Sequence, residues 1–367
     1  MEISLTYPGK KSLEAIKGYK PEGRLIFDKN EPCHYENTVF AGDNYPILAL
    51  LKKQLYQSID LIYIDPPFGT GRAFTGQQEI PAYDDHLLDH HYLEFLRERL
   101  ILMRELLSER GSIYVHIDKK TGHYVKIMMD EVFGRRNYLN DISRIKCNPK
   151  NFERKAYGNS TDMILFYAVN QGRHIWNEQR EPLSKEEIRT LFPKKDPIHG
   201  PYTTHPLHAP GKTLNGKTGQ EWKGLLPPHG RHWRYPPEVL DQLEQENLIE
   251  WSSTGNPRKK VFAKHHKGRK LQDFWTYKDK GKTYTQYPTE KNKELLQRII
   301  LQSSNPSSIV LDAFAGSGNT LLMAHQLGRK WLGIDQSRVA LSVIEQNFSQ
   351  HNIPFHLARY EAYGKKH

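Results

Sequence analysis

Cysteine is nearly absent: Cys33 and Cys147 are the only two in 367 residues. Two cannot build a disulfide framework or a four-ligand cysteine zinc site. No apolar run approaches the roughly 20 residues that span a bilayer. The opening MEISLTYPGKKSLEAIKGYK lacks the apolar segment of a secretory signal, so a cytoplasmic protein without a membrane partner is expected. The 18 histidines show no His-Glu-x-x-His or Cys/His spacing; solvated loop histidines are expected, and no metal. Internal repeats and low-complexity tracts are lacking too. What the chain has in excess is positive charge, 53 Lys+Arg against 42 Asp+Glu, net +11. A polyanion partner would use that charge, because neutralising phosphates releases counterions. Where the charge lies says more than its total.

The first third alternates strand and helix patterns. SIDLIYIDPPF begins as a buried strand through Ile59, Leu61, Ile62 and Ile64, then stops on Asp65-Pro66-Pro67-Phe68. HYLEFLRERLILMRELLSERG has Leu96, Leu100, Met103 and Leu107 at helical spacing and is closed by Gly111. SIYVHID reads as a strand, HYVKIMMDEVFG as a helix and DMILFYAVN as another strand. This alternation predicts an α/β fold with a mostly parallel sheet. From about Arg144 to Thr285 the rhythm gives way to Pro, Gly, His, Trp and basic residues, with one helix expected over PPEVLDQLEQENLIEW. The α/β pattern returns with a helix burying Leu295, Leu296, Ile299 and Ile300, then strand, glycine turn and helix in SSIVLDAFAGSGNTLLMAHQLG. KWLGID is a strand, and QSRVALSVIEQNF is a helix with Val339, Val343 and Phe348 in register.

Two of these stretches carry chemistry. In VLDAFAGSGNT a strand ends at Asp312, the chain turns through Gly316-Ser317-Gly318, and a helix opens near Asn319. Glycines let a ligand approach the backbone, and the helix N-terminus offers free N–H groups. Asp335 ends the next strand, where an acid suits ribose hydroxyls. The unit reads as a nucleoside-cofactor site, although the full G-x-G-x-x-G pattern is missing. A second glycine motif, Gly211 to Thr218, satisfies G-x-x-x-x-G-K-[ST] without the strand before it and the helix after it that a P-loop needs. It is a chance match.

FAGSG, GID, AGDNYPIL and DPPF, in this circular order, resemble an S-adenosylmethionine-dependent DNA amino-methyltransferase, adenine-N6 or cytosine-N4. The order with DPPF first, a variable insertion next and FAGSG last is similar to the beta group of that family. The resemblance covers about Tyr35 to Phe348, and the motifs are specific as a set. It implies a Rossmann-like methyltransferase fold with circularly permuted motifs, S-adenosylmethionine as cofactor and double-stranded DNA as partner. It further implies a restriction-modification setting with a companion endonuclease, and a homodimer. Asp65 and Asp43 would lie by the cofactor, Phe314, Ala315, Gly316, Ser317 and Gly318 at its methionine end, and Asp335 with Gln336 at its ribose. YPTEKN resembles the segment closing over the methionine moiety, which makes Thr289, Lys291 and Asn292 candidates; Thr289 reads equally as a helix N-cap after Pro288. Ser160 and Asp162 resemble a late motif near the target base and read as structural. Phe68 stands where tyrosine is commoner and Asp335 where glutamate is, and both keep the chemistry required.

A base inside a duplex must be flipped out before an enzyme can reach its amine. The adenine N6 lone pair is delocalised and poorly nucleophilic. Asp65 and the carbonyl of Pro66 would accept its two hydrogens, with Pro67 holding them rigid and Phe68 offering a π-face. In-line displacement follows, accelerated by positioning. Cytosine-N4 relatives more often carry Ser in place of Asp65, so adenine is expected, with cytosine N4 the nearest alternative and RNA a further one. A DNA-binding or specificity module without catalysis is the rival of another class; the intact DPPF and FAGSG motifs speak against it. Cys147 lies in KCNP, not after a proline as the nucleophile of cytosine-carbon methylation would, and reads as inert. Within the insertion, Arg258, Lys259, Lys260, Lys264, Lys267, Arg269 and Lys270 are expected to track phosphates, with Trp233, Tyr235 and Trp251 for packing or stacking. The expected division is an N-terminal extension over 1–34, a catalytic half over 35–143, the recognition insertion over 144–285 with a catalytic-domain strand near 161–169, and a cofactor half over 286–367.

Overall fold

The computed structural model describes residues 4–28, 35–67, 90–148, 155–278 and 291–364. They form two compact units, Arg180–Leu271 and the rest of the chain. In the larger unit, ten strands among the described residues make one sheet. Their order is Gly23–Phe27, His356–Ala362, Thr38–Ala41, Lys330–Asp335, Ile309–Asp312, Ile59–Ile64, Leu107–Ile117, Thr161–Ala168, Tyr138–Ile145 and Phe274–Trp275. From His356–Ala362 to Leu107–Ile117 all neighbours are parallel. Gly23–Phe27 and Thr161–Ala168 run antiparallel to theirs. This is the Rossmann-like α/β fold expected.

The central strands are continuous apolar runs because helices cover both faces. Side chains alternate across a strand, so Ile62 and Ile64 join one core with Ile113, Val115 and Leu311, while Leu61 and Tyr63 join the other with Tyr114 and Val310. Helices Asn44–Leu55, His90–Leu106 and Lys119–Phe133 pack in the first core, and Lys293–Ser303, Asn319–Gln326 and Arg338–Gln350 in the second. From Ile309–Asp312 the chain crosses to Lys330–Asp335 on one side. From the adjacent Ile59–Ile64 it goes to Leu107–Ile117 on the other. That divergence is a topological switch point, and it opens a crevice at the carboxyl ends of both strands.

Several expectations shift. Residues 1–34 are not merely an extension: Gly23–Phe27 pairs along the sheet edge, Gly23 opposite Ala362, and Ile16 is fully buried. The inserted unit is narrower than 144–285, because Tyr138–Ile145, Thr161–Ala168 and Phe274–Trp275 pair with the main sheet. The helix expected to reach Gly111 stops at Leu106, and Leu107 already pairs with Ile59. Val339, expected in the buried register, is 41% exposed, whereas Val343 and Phe348 are buried.

Arg180–Leu271 has a four-stranded antiparallel sheet ordered Ile249–Trp251, Pro257–Phe262, Gly200–Pro206, Lys194–Asp196. Its core gathers Leu207, Trp222, Trp233, Leu240, Leu243 and Ile249. The helix read through Trp251 spans only Pro237–Gln245; Asn247 turns left-handed at φ 57°, and the chain continues as a strand. The Gly211–Thr218 stretch follows a three-residue strand and leads into a single 3-10 turn, Lys217–Gly219, so it opens no helix.

Candidate active site

Both chemical motifs reach the switch point. The strand Ile59–Ile64 ends because Pro66 and Pro67 have no N–H to donate to a ladder. Asp65 stands at that end, with Pro66 buried behind it. Its Oδ2 pairs with Lys291 Nζ at 2.9 Å. Its Oδ1 is buried and has no hydrogen-bond partner among the described residues. A buried carboxylate oxygen without a donor is costly, which marks this atom as a candidate acceptor. Phe68 and Thr289 lie outside the described residues.

On the adjacent strand, Asp312 is buried, and its Oδ1 accepts the Phe314 N–H at 3.0 Å. Burial pushes its carboxyl up to about 7; the Thr320 hydroxyl and the Phe314 amide oppose that, and the charges of Asp65 and Asp335 add to it. The glycine turn is braced from the next strand. Asp335 Oδ2 accepts the Gly316 N–H and Oδ1 the Ser337 N–H, both at 2.8 Å. Burial raises the Asp335 carboxyl while these amides work against the rise. Ala315 donates its N–H to Ile334 O at 3.0 Å. Gly316 and Gly318 have φ of 52° and 77°. A Cβ on Gly318 would stand 2.8 Å from Ile344 Cγ1, so only glycine lets the turn approach the helix behind it. Ser317 is buried, its carbonyl taken by Asn347 Nδ2 at 3.1 Å, and Gln336 is exposed at the strand end.

Two of the expected cofactor residues also cap helices. Asn292 is the N-cap of Lys293–Ser303, its Oδ1 accepting Glu294 N–H at 2.8 Å and Leu295 N–H at 3.3 Å. The cap proposed for Thr289 therefore belongs to Asn292, whose carboxamide oxygen is occupied. Asp43 caps Asn44–Leu55, accepting Tyr45 N–H at 2.9 Å, and also accepts from the Arg99 guanidinium at 2.7 Å.

Arg99 is a residue the sequence reading missed. Its buried guanidinium bonds Asn44 and Asp43 and lies 3.6 Å over the Phe95 ring. Asn44 Nδ2 in turn donates to Ala313 O at 2.7 Å, tying this cluster to the glycine turn. A buried network was missed as well. Tyr63 Oη meets His116 Nδ1 at 2.9 Å, and His116 Nε2 meets Asp162 Oδ2 at 3.2 Å. Arg144 reaches the same Asp162 oxygen at 3.2 Å, and Lys146 reaches the other at 2.7 Å. Burial first, and then the Lys291 charge, lower the His116 pKa, so the ring is neutral at pH 7. Asp162 lies far below the usual carboxylate range: its partners His116 and Lys146 outweigh the burial that pushes it upward. A lone histidine in the apolar run SIYVHID and an arginine inside a strand were the available signals.

The donor set suits S-adenosylmethionine. The turn Phe314 to Gly318 offers its backbone at positive φ, Asp335 and Gln336 stand at the adjacent strand end, and Asp65 keeps a buried oxygen that has no partner among the described residues. Among the described residues no group of three or more His, Cys, Asp or Glu is arranged to hold a metal ion. No helix among them is long and apolar enough to cross a membrane.

The basic residues of Arg180–Leu271 divide. The Arg258 guanidinium bonds Thr204 Oγ1 at 2.8 Å and Thr204 O at 2.7 Å, and Lys260 pairs with Asp196 at 3.4 Å, both salt-bridge side chains nearly buried. Arg269 pairs with Glu187 at 2.7 Å. Each of these three has a partner within the unit, Arg269 while still exposed, and Lys264 Nζ likewise meets His199 Nδ1 at 2.8 Å. Lys259 lies 5.0 Å over the Tyr235 ring, beside a cavity of about 580 Å³ lined also by Arg234 and His205. Lys264, Lys267 and Lys270 are exposed. Trp233 is in the core and can only pack; Trp251 is partly exposed and stacks on Trp222 at 5.7 Å.

The family model described as DNA methylase, for N6 and N4 enzymes, matches residues 59–346. The Type II methyltransferase M.EcaI of Enterobacter cloacae is 40% identical over 95% of this chain and 78% of its own length. The StyLTI Mod subunit of a type III restriction-modification enzyme from Salmonella typhimurium is 28% identical over 94% of this chain, which spans 57% of that protein. The DNA adenine methyltransferase YhdJ of Escherichia coli is 26% identical over 83% of this chain and 81% of its own.

Proposed function

The chain belongs to the DNA methylase family of N6 and N4 enzymes, and from that premise we propose that it methylates adenine N6 of a flipped base in duplex DNA. The observation carrying the reading is Asp65, fixed at the switch point with one oxygen paired and the other buried with no donor among the described residues. Held by the turn Phe314 to Gly318 and by Asp335, S-adenosylmethionine would supply an electrophilic methyl, with S-adenosylhomocysteine as the co-product. The protein's part is to make a poor nucleophile competent. Asp65 Oδ1 and the Pro66 carbonyl accept the two amine hydrogens, which favours a pyramidal nitrogen with its lone pair directed at the methyl. Pro66 and Pro67 hold those acceptors rigid, so little reorganisation is needed during transfer. The methylated, cationic nitrogen then gives one of its protons to solvent, which restores the neutral amine.

Adenine is supported over cytosine by an acid at position 65 and by the relative named as an adenine methyltransferase. Cytosine N4 is the second reading, favoured by the breadth of the family, which takes in both amines. Exposed Lys264, Lys267 and Lys270 support phosphate contacts by the inserted unit. Relatives named as restriction-modification proteins support a companion endonuclease. The test is to incubate the protein with unmethylated duplex DNA and methyl-labelled cofactor, then identify the labelled nucleoside. N6-methyladenine is expected, and N4-methylcytosine would refute the adenine assignment.

A further inference from the structure

We propose that Lys291 is a positioning residue for Asp65 and not a contact to the methionine end of the cofactor. The inference rests on the methyl-transfer reading above and assigns one residue within it. Lys291 Nζ stands 2.9 Å from Asp65 Oδ2, and both side chains are largely withdrawn from solvent, 14% and 19% exposed. The opposite oxygen, Oδ1, is buried and has no partner among the described residues. A carboxylate can rotate about its last bond and present either oxygen to a donor. The ammonium ends that freedom: it claims Oδ2 in a charge-assisted bond and leaves Oδ1 as the acceptor for the amine.

The lysine is itself held in place. Its carbonyl accepts Asn319 Nδ2 at 3.3 Å, from the first residue of the helix behind the glycine turn. The next residue, Asn292, caps Lys293–Ser303 and donates to Lys278 O at 3.1 Å. Lys291 is thus anchored at a helix start and tied to the cofactor turn, with its charge aimed at the acid that receives the base. A lysine is a compact point charge on a flexible stem, and these anchors replace the rigidity its stem lacks. Both interactions join residues more than 200 positions apart in the case of Asp65 and within the cofactor half in the case of Asn319, which spacing alone could not reveal.

Positioning and cofactor binding give opposite patterns when measured separately. Single-turnover transfer to unmethylated duplex DNA at saturating cofactor reports positioning. Calorimetric titration with S-adenosylmethionine in the absence of DNA reports the cofactor contact. For Lys291→Met the transfer rate is expected to fall about a hundredfold, as for loss of an alignment effect, with the cofactor Kd changed less than about threefold. Lys291→Arg, which restores a cation near Oδ2, is expected to recover at least about a tenth of the wild-type rate. In an Asp65→Asn background, adding Lys291→Met is expected to cost little more, because the lysine acts through the acid. A Kd weakened tenfold or more, with the saturated rate within about threefold of wild type, would overturn the proposal. Equal, additive losses in both backgrounds would overturn it too. Wild-type protein run alongside separates this from the methylation reading: absence of any transfer by the unaltered chain counts against that reading, while the Lys291 proposal is judged by the variants relative to an active parent.

Discussion

Asp312 gives the folded protein a pH dependence that a single substitution removes. The residue is only 3% exposed, and burial lifts its carboxyl from an ordinary 3.8 to about 7. The sign follows from proton binding. Between those two values the folded state holds a proton that the unfolded chain has released, so stability falls as pH rises through the window. The loss is about 1.4 kcal/mol for each pH unit, or about 4 kcal/mol from pH 4 to pH 7 in total. It is absent below pH 4 and complete above pH 7. Asp312→Asn abolishes the titration. The amide oxygen can still accept the Phe314 N–H that Asp312 Oδ1 now accepts at 3.0 Å. Urea unfolding at half-unit steps from pH 4.5 to 8 measures the difference directly. The variant should gain on the wild type progressively with pH, reaching a relative stabilisation of order 2–4 kcal/mol at pH 8. A wild-type-minus-variant difference that stays flat across the range would refute the argument, because a carboxyl that ionises normally in the fold creates no such slope.

Gly318→Ala places a Cβ 2.8 Å from Ile344 at a left-handed position, and should destabilise the protein by about 1–3 kcal/mol in chemical denaturation. Arg144→Met leaves buried Asp162 without one of its cationic partners, with an expected loss of about 3–5 kcal/mol; a change under about 1 kcal/mol would show that Lys146 and His116 suffice. The pair Lys267→Ala and Lys270→Ala removes two exposed charges from the inserted unit. It should reduce the slope of log K for DNA against log salt by about 1.8, without altering cofactor affinity.

Much of the architecture was readable where one local rule decides. Ile59 to Ile64 is a central strand because a short, nearly unbroken apolar run can only be buried on both faces, and the prolines fix where it ends. The glycine turn at 316–318 was readable because its backbone needs residues without a Cβ. Long-range pairing hid the rest. Arg99 looks like one charge among several in FLRERL, and only folding brings it to Asp43 and Asn44, about 55 positions away. Arg258 and Lys260 looked like free phosphate ligands, but Thr204 and Asp196 occupy them from neighbouring strands of the same small sheet. Asn292 rather than Thr289 proved to be the cap because the helix begins at Lys293. Leu107 fits a helical register and a strand equally well, and pairing with Ile59 decides for the strand.

The central claim is that Asp65 receives the amine of a flipped adenine. The most direct measurement is nucleoside analysis of duplex DNA after incubation with labelled S-adenosylmethionine, for the wild type and for Asp65→Ala in parallel, with cofactor binding checked by titration. Label in N6-methyladenine for the wild type is predicted, together with its loss by at least about a hundredfold in the variant while the cofactor still binds. Undiminished methylation by Asp65→Ala, or label in N4-methylcytosine, would contradict it.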